Sequence, residues 1–348
     1  MKKILSFLLI GFLFFPLTVS AKTAQQMYWD ALDRIVKAKT MVVGGTVNIT
    51  SKMANTKNKN MAVSSAYSYN NGNLGINFNI KIDKSNPEEQ RVFYSFGFVP
   101  SEEIKNNLPI SDVKVVSLGS TSYFYITADS LDLGFLDLSL FINRWVKIDR
   151  DGILQQFLGD KYADVKADLD AKKKSNQITP EQMDSIIKLF KKNNIFNVYR
   201  LADKKVSGKT YNQLRLRFNK VNFRKFIIAA SKEINGKSMT VAELKDLDKI
   251  IKTLQVPDSV LLVDKNSGAP ARLDFSVKRN DGIRNLTTTV RINFISFNEG
   301  VDIYAPSEPT NFEDIFSAVM GQFKNNLDNS YATSTVSTTF NVSTTFSL

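Results

Sequence analysis

Apolar residues recur at Ala24, Met27, Tyr28, Ala31, Leu32, Ile35 and Val36. This spacing lines one side of a helix, so it predicts an amphipathic helix from about Thr23 to Lys39. The period then drops to two. Val43, Gly45, Val47 and Ile49 alternate with smaller or polar neighbours. Leu74, Ile76, Phe78, Ile80 and Ile82 give the cleanest alternation in the chain, followed by Val92, Tyr94, Phe96 and Phe98, then Phe124 and Ile126. Each run reads as a strand with alternate side chains on opposite faces. The breaks carry turn residues: Asn70-Asn71-Gly72-Asn73, Asn86-Pro87 and Gly119-Ser120. Strands separated by short turns predict an antiparallel meander.

The middle of the chain is helical in pattern. Asp151 is the expected cap of a helix carrying Ile153, Leu154, Phe157 and Leu158. Thr179-Pro180-Glu181-Gln182 has the signature of a helix start, with a Thr cap, Pro in the first turn and Gln three residues after the cap. Strands return at Phe196, Val198 and Leu201, turn at Lys204–Lys209, and continue through Leu214, Leu216 and Phe218. A helical insert follows from about Val221 to Leu254, with a second capping box at Thr240-Val241-Ala242-Glu243. Val260 and Leu262 lead into the turn Asp264-Lys265-Asn266-Ser267-Gly268, with Gly at the left-handed position of a hairpin. Leu273, Phe275 and Val277 return, and Leu286, Thr288, Val290, Ile292 and Phe294 form the next strand. A terminal helix is expected from Phe312 to Leu327.

The N-terminus adds a location. Lys2 and Lys3 precede an apolar run from Ile4 to Leu17, and Val19-Ser20-Ala21 is a small-residue cleavage site. This is the pattern of a secretory signal peptide over 1–21, and the run is short for a membrane span. No Cys follows it, which argues against a lipid-anchored lipoprotein. The expectation is an exported protein, periplasmic, extracellular or associated with the cell envelope. The competing reading is an uncleaved N-terminal anchor.

Composition narrows the chemistry. The chain has no Cys and no His. No disulfide can staple it, and neither a Ser-His-Asp triad, a Cys-His pair nor a His-based zinc site can be built. Stability must come from apolar burial, for which 25 Phe and 11 Tyr supply area. The formal charge is +12, and losing Lys2 and Lys3 leaves +10. Such a protein could meet nucleic acid, anionic lipid head groups or an acidic wall polymer; export argues against nucleic acid. The charge is scattered apart from Lys172–Lys174.

Motifs that suggest catalysis do not survive inspection. Ser207-Gly208-Lys209-Thr210 ends like a phosphate-binding loop but lacks the earlier Gly, and it sits in an expected hairpin turn. Ser111-Asp-Val-Lys114 and Ser185-Ile-Ile-Lys188 match Ser-x-x-Lys without the partner motifs of penicillin-binding enzymes. Asp264-x-Asn266-x-Gly268 lacks the ligand set of a calcium loop. Asp129, Asp132 and Asp137 read as solvated acids before they read as a weak cation site. No metal, cofactor or catalytic residue is expected. A carboxylate hydrolase would need two facing acids, and the sequence singles out no pair.

The apolar inventory is more telling. Ile76, Phe78, Ile80, Phe96, Phe98, Phe124, Leu216, Phe275, Ile292 and Phe294 are candidates for one face of a long antiparallel sheet, with Trp145 as a packing anchor or an aromatic at a cavity mouth. Helices on that face either fill it, giving a plain core, or leave an apolar cavity for a lipid. Patterning leaves both open.

The order of elements resembles a known group. A strand-rich first half runs through Tyr123-Phe124-Tyr125-Ile126 to Asn143-Arg144-Trp145-Val146-Lys147-Ile148-Asp149. The hairpin Leu261-Leu262-Val263-Asp264-Lys265-Asn266-Ser267-Gly268-Ala269-Pro270 is followed by a strand and an Ala305-Pro306 exit. This resembles the superfamily of LolA-like periplasmic lipoprotein carriers and LppX-type lipid-binding lipoproteins over roughly Thr23 to Phe316. The resemblance implies an α+β fold: a strongly curved antiparallel sheet, a half-barrel, with helices on its concave side and acyl chains carried between. Its members are not enzymes, so no catalytic residues transfer. The chain departs from it in lacking the lipobox Cys and in carrying the insert near 221–254.

The expected organisation is a signal peptide at 1–21, a half-barrel domain at 22–326 and a tail at 327–348. The tail is Ser/Thr-rich, with the repeat Val336-Ser-Thr-Thr-Phe340 and Val342-Ser-Thr-Thr-Phe346. It reads as a disordered segment, or as one that adds to a sheet edge. The expected partner is a lipid or an acylated protein, or a membrane surface. The alternative is an envelope interaction module with a filled core and no ligand.

Overall fold

The computed structural model describes residues 22–53, 71–86, 89–102, 109–129, 139–168, 179–280 and 284–321. The signal-like segment 1–21, the Lys172–Lys174 run, Asp132, Asp137 and the 327–348 tail lie outside the described residues. The fold is α+β on mostly antiparallel strands, as expected. The chain divides into two compact units: Met1–Gly75 with Lys173–Gly300, and Ile76–Lys172 with Val301–Leu348.

The first unit opens with helix α1, Ala24–Lys37, capped by Thr23 in a reciprocal box with Gln26. Strand β1, Thr40–Met53, follows. Strand β2, Asn71–Asp83, begins in this unit and ends in the other.

In the second unit, β3 (Arg91–Pro100), β4 (Ile110–Leu118), β5 (Thr121–Ala128) and β6 (Trp145–Asp149) form the expected meander, each antiparallel to its neighbour. Strand β4 was not anticipated from periodicity. Val113 and Val115 point to one side and Val116 and Leu118 to the other, while Asp112 and Lys114 interrupt the apolar pattern. Ser111 and Lys114 of the Ser-x-x-Lys match lie on this strand, where the Ser111 hydroxyl donates to the Thr127 carbonyl. Helix α2, Arg150–Leu158, is capped by Asp149 and not by Asp151. Asp149 ends a strand with extended backbone, so its Oδ1 is free to accept from the Asp151 and Gly152 amides. Asp151 lies within the first turn and pairs with Lys166 at 2.8 Å.

Back in the first unit, α3, Pro180–Asn193, carries the expected Thr179 capping box. Strands β7 (Phe196–Arg200), β8 (Lys204–Val206) and β9 (Lys209–Phe218) follow. Ser207 and Gly208 both have positive φ, 48° and 79°, the signature of a two-residue primed turn. That geometry accounts for the Ser-Gly-Lys-Thr run without a bound phosphate. The insert forms α4 (Lys220–Asn235) and α5 (Val241–Thr253), the latter with its Thr240–Glu243 capping box intact. Strands β10 (Leu254–Gln255), β11 (Ser259–Asp264), β12 (Pro270–Asn280) and β13 (Arg284–Phe297) complete the unit. The spatial order is β1-β13-β12-β11-β9-β7. The chain then returns to the second unit, where β14, Thr310–Asn311, pairs in parallel with β6. Residues 312–321 are helical, at the start of the expected terminal helix.

The core of the first unit joins Met27, Tyr28 and Ala31 of α1 to Leu214, Leu216, Leu261 and Val263 of the sheet. Met27, Tyr28 and Ala31 of the α1 stripe are therefore buried as the spacing implies, whereas Val36 at its C-terminal end is 50% exposed. Burial pushes the Tyr28 hydroxyl pKa upward, so it stays neutral. The second unit has two clusters. Val116, Tyr123 and Ile303 gather with Trp145, while Val146, Ile315 and Val319 gather with Phe124.

Candidate functional site

Register assigns the faces. In the first unit Val43 pairs with Phe294, Gly45 with Ile292, and Val47 with Val290. Ile292 in turn faces Leu273 and Val290 faces Phe275. Leu273 faces Leu261, and Leu261 faces Leu214. Residues directly opposite share a face. Leu216, Phe275, Ile292 and Phe294 are thus brought together on the face that α1 covers. The opposite face is largely polar. It carries Arg215 and Arg217 against Asp258, with their guanidinium groups 5.1 and 5.7 Å from the Tyr199 ring, and Arg272 and Arg291 against Asp274.

The apolar face is unevenly covered. Toward β9 and β11 it is dry: Leu214 has no exposed surface and Leu216 has 3%. Toward β12 and β13 the large side chains Phe275, Ile292 and Phe294 stay half-buried and lie outside the buried cluster. Phe294 stacks on Phe297 at 5.8 Å.

Phe297 leads to the second feature, an open cleft of about 1120 Å³ within the same unit. Its walls are α1, the β11–β12 hairpin and the end of β13. Five basic side chains line it, Lys22, Arg34, Lys37, Arg200 and Lys265, against two carboxylates, Asp30 and Asp33. Both carboxylates are neutralised: Lys22 meets Asp30 at 2.5 Å and Lys191 meets Asp33 at 2.6 Å. Arg200 and Lys265 share Asp203 at 3.2 and 2.8 Å, and Arg200 Nη2 also donates to the buried Asn212 Oδ1 at 3.0 Å. The hydrogen bond from Lys265, then that from Arg200, holds the Asp203 carboxyl below the ordinary aspartate range. Arg34 and Lys37 have no hydrogen-bonding or ionic partner among the described residues. Both sit in the last turn of α1, where cations also favour the helix dipole. Gly268, with φ of +68°, turns the hairpin beneath Arg34, whose Nη2 lies 3.8 Å from where a Cβ would stand.

The remaining candidate residues belong elsewhere. Phe96, Phe98 and Phe124 share one face in the second unit, since Phe96 faces Val113, which faces Ile126. Phe124 packs on Val146 and Trp145 on Tyr123, clusters on opposite faces of the sheet. Ile76, Phe78 and Ile80 alternate along β2 and are half-buried. Sequence reasoning missed the cleft. It did not single out Arg34 or Lys37, and it took the hairpin residues as a turn, a dismissed calcium-loop match and part of the resemblance. Among the described residues no group of three or more acids could hold a metal ion, and no helix is long and apolar enough to cross a membrane.

The chain is similar to several solved structures. LppX, a lipoprotein of Mycobacterium tuberculosis, shares 8% identity over 81% of this chain and 98% of its own, with a TM-score of 0.33. LprF from Mycobacterium bovis shares 11% over 81% of this chain and 96% of its own, with a TM-score of 0.36. A LolA superfamily protein from Nitrosomonas europaea shares 9% over 81% and 96%, with a TM-score of 0.18. No family model matches the sequence, and no curated protein does.

Proposed function

We propose that this is a non-enzymatic binding protein of the cell envelope that holds the acyl part of a lipid or acylated protein. The observation that carries the reading is the uneven cover on the apolar face of the first unit, where Phe275, Ile292 and Phe294 stay half-buried beside a dry core. An acyl chain laid along this row would complete its burial. Each buried methylene contributes roughly 0.8 kcal/mol, so ten would give about 8 kcal/mol before ordering losses. The opposite face carries charged pairs such as Arg291 with Asp274. The N-terminal pattern of residues 1–21 supports an exported location.

The test is saturable binding of a fluorescent apolar probe, such as phenylnaphthylamine, and its displacement by dodecanol. Phe275→Asp with Ile292→Asp should abolish binding while circular dichroism shows a folded chain. A wild-type protein that binds neither probe nor dodecanol refutes the reading, as does a double variant that binds like the wild type.

A further inference from the structure

We infer that the cleft between α1 and the β11–β12 hairpin is an anion site for a phosphate-type group, with Arg34 and Lys37 as its principal ligands. The inference deepens the acyl-binding reading and rests on it for the source of the anion, a lipid head group. Four observations converge. The cleft is concave and large enough for a phosphorylated head group. Its lining is cationic, five basic groups against two carboxylates that are already paired. Arg34 and Lys37 keep their hydrogen-bonding capacity unspent, whereas Arg200 and Lys265 are held by Asp203 and Asn212. Phe297 belongs to the cleft wall and stacks on Phe294 of the apolar row.

A ligand with one charged end and one greasy end matches this sequence of surfaces. Its anion would sit under the Arg34 guanidinium and the Lys37 ammonium. Its first methylenes would cross Phe297 and its chain would run along Phe294 and Ile292. The guanidinium fork can take two oxygens at once, and the ammonium a third. Gly268 leaves room beneath Arg34, since nothing but the guanidinium lies within 4 Å of the Cβ it lacks. Arg200 and Lys265 would act as positioning residues that fix the hairpin and add field, since their charge is partly answered by Asp203.

Three probes measured by calorimetry below micelle-forming concentrations separate the terms: dodecanol, dodecyl phosphate and inorganic phosphate. Dodecyl phosphate should bind about tenfold more tightly than dodecanol, the scale expected for one charge-assisted contact. Raising salt should erode the difference. Arg34→Gln with Lys37→Gln should remove the gain and leave dodecanol binding unchanged. Equal binding of dodecanol and dodecyl phosphate overturns the anion site while the acyl reading stands. A gain that survives in the double variant overturns the assignment to Arg34 and Lys37. Inorganic phosphate bound as tightly as dodecyl phosphate, with dodecanol unbound, supports the anion site and assigns it to a free ion, which removes the acyl reading.

Discussion

Leu214→Ala and Phe275→Ala probe the same sheet face at its two ends and should behave differently. Leu214 is fully buried between α1 and β11. Removing it leaves a cavity that a packed helix cannot close, and a cost of about 3 kcal/mol is expected. With a urea slope of about 2 kcal/mol/M, that moves the unfolding midpoint down by about 1.5 M. Phe275 is half-buried, so its truncation forfeits about half the usual loss, about 2 kcal/mol. The reporter is built into the chain. Its two Trp, Trp29 and Trp145, fall one in each compact unit. Trp29 packs edge-on against Phe190 at 5.8 Å beside the cluster that contains Leu214. In a Trp145→Phe background, fluorescence therefore follows the first unit alone. Phe275→Ala should also weaken dodecanol binding, and Leu214→Ala should not. Equal destabilisation by the two substitutions, with dodecanol binding intact in both, would mean that the row is ordinary core and that the acyl-binding argument is unsound.

Thr240→Ala removes the reciprocal cap of α5 and should cost about 1 kcal/mol, seen as faster amide exchange within Val241–Thr253. Gly268→Ala should destabilise by about 1 to 2 kcal/mol through backbone strain at φ +68°, since the added methyl meets only ordinary contact with Arg34. Acid stability should fall in a defined direction. Asp264 is held below the usual range by the Ser267 amide first, and Asp203 by Lys265 first. A lowered folded-state pKa stabilises above the unfolded value of about 4 and is lost as pH drops through the folded value. Melting temperature should therefore decline below about pH 4, and Asp264→Asn should flatten part of that decline. A variant whose acid profile matches the wild type would remove Asp264 from the account.

Much of the local structure was legible because its causes are local. Thr23, Thr179 and Thr240 each cap the helix that their spacing announces. The alternation of Leu74 to Ile82 became β2, and Gly268 took the left-handed turn. The failures also have local causes. Asp149 outcompeted Asp151 as a cap because the chain arrives there extended. Strand β4 was hidden because apolar residues occupy both of its faces: Val116 and Leu118 join a buried cluster, while Val113 and Val115 lie on the other side.

The candidate site was legible only in part. Periodicity picked out Leu216, Phe275, Ile292 and Phe294 as greasy positions on strands, because side-chain direction repeats every two residues whatever the neighbours are. Which of these share a face, and which stay uncovered, depends on pairings such as Met41 with Phe297, more than 250 positions apart. The cleft depends on the same long-range closure, which brings the end of α1 to Gly268 and Phe297. Helix, strand and turn follow from neighbours along the chain. Cover, charge and concavity follow from neighbours in space, and only the folded molecule decides those.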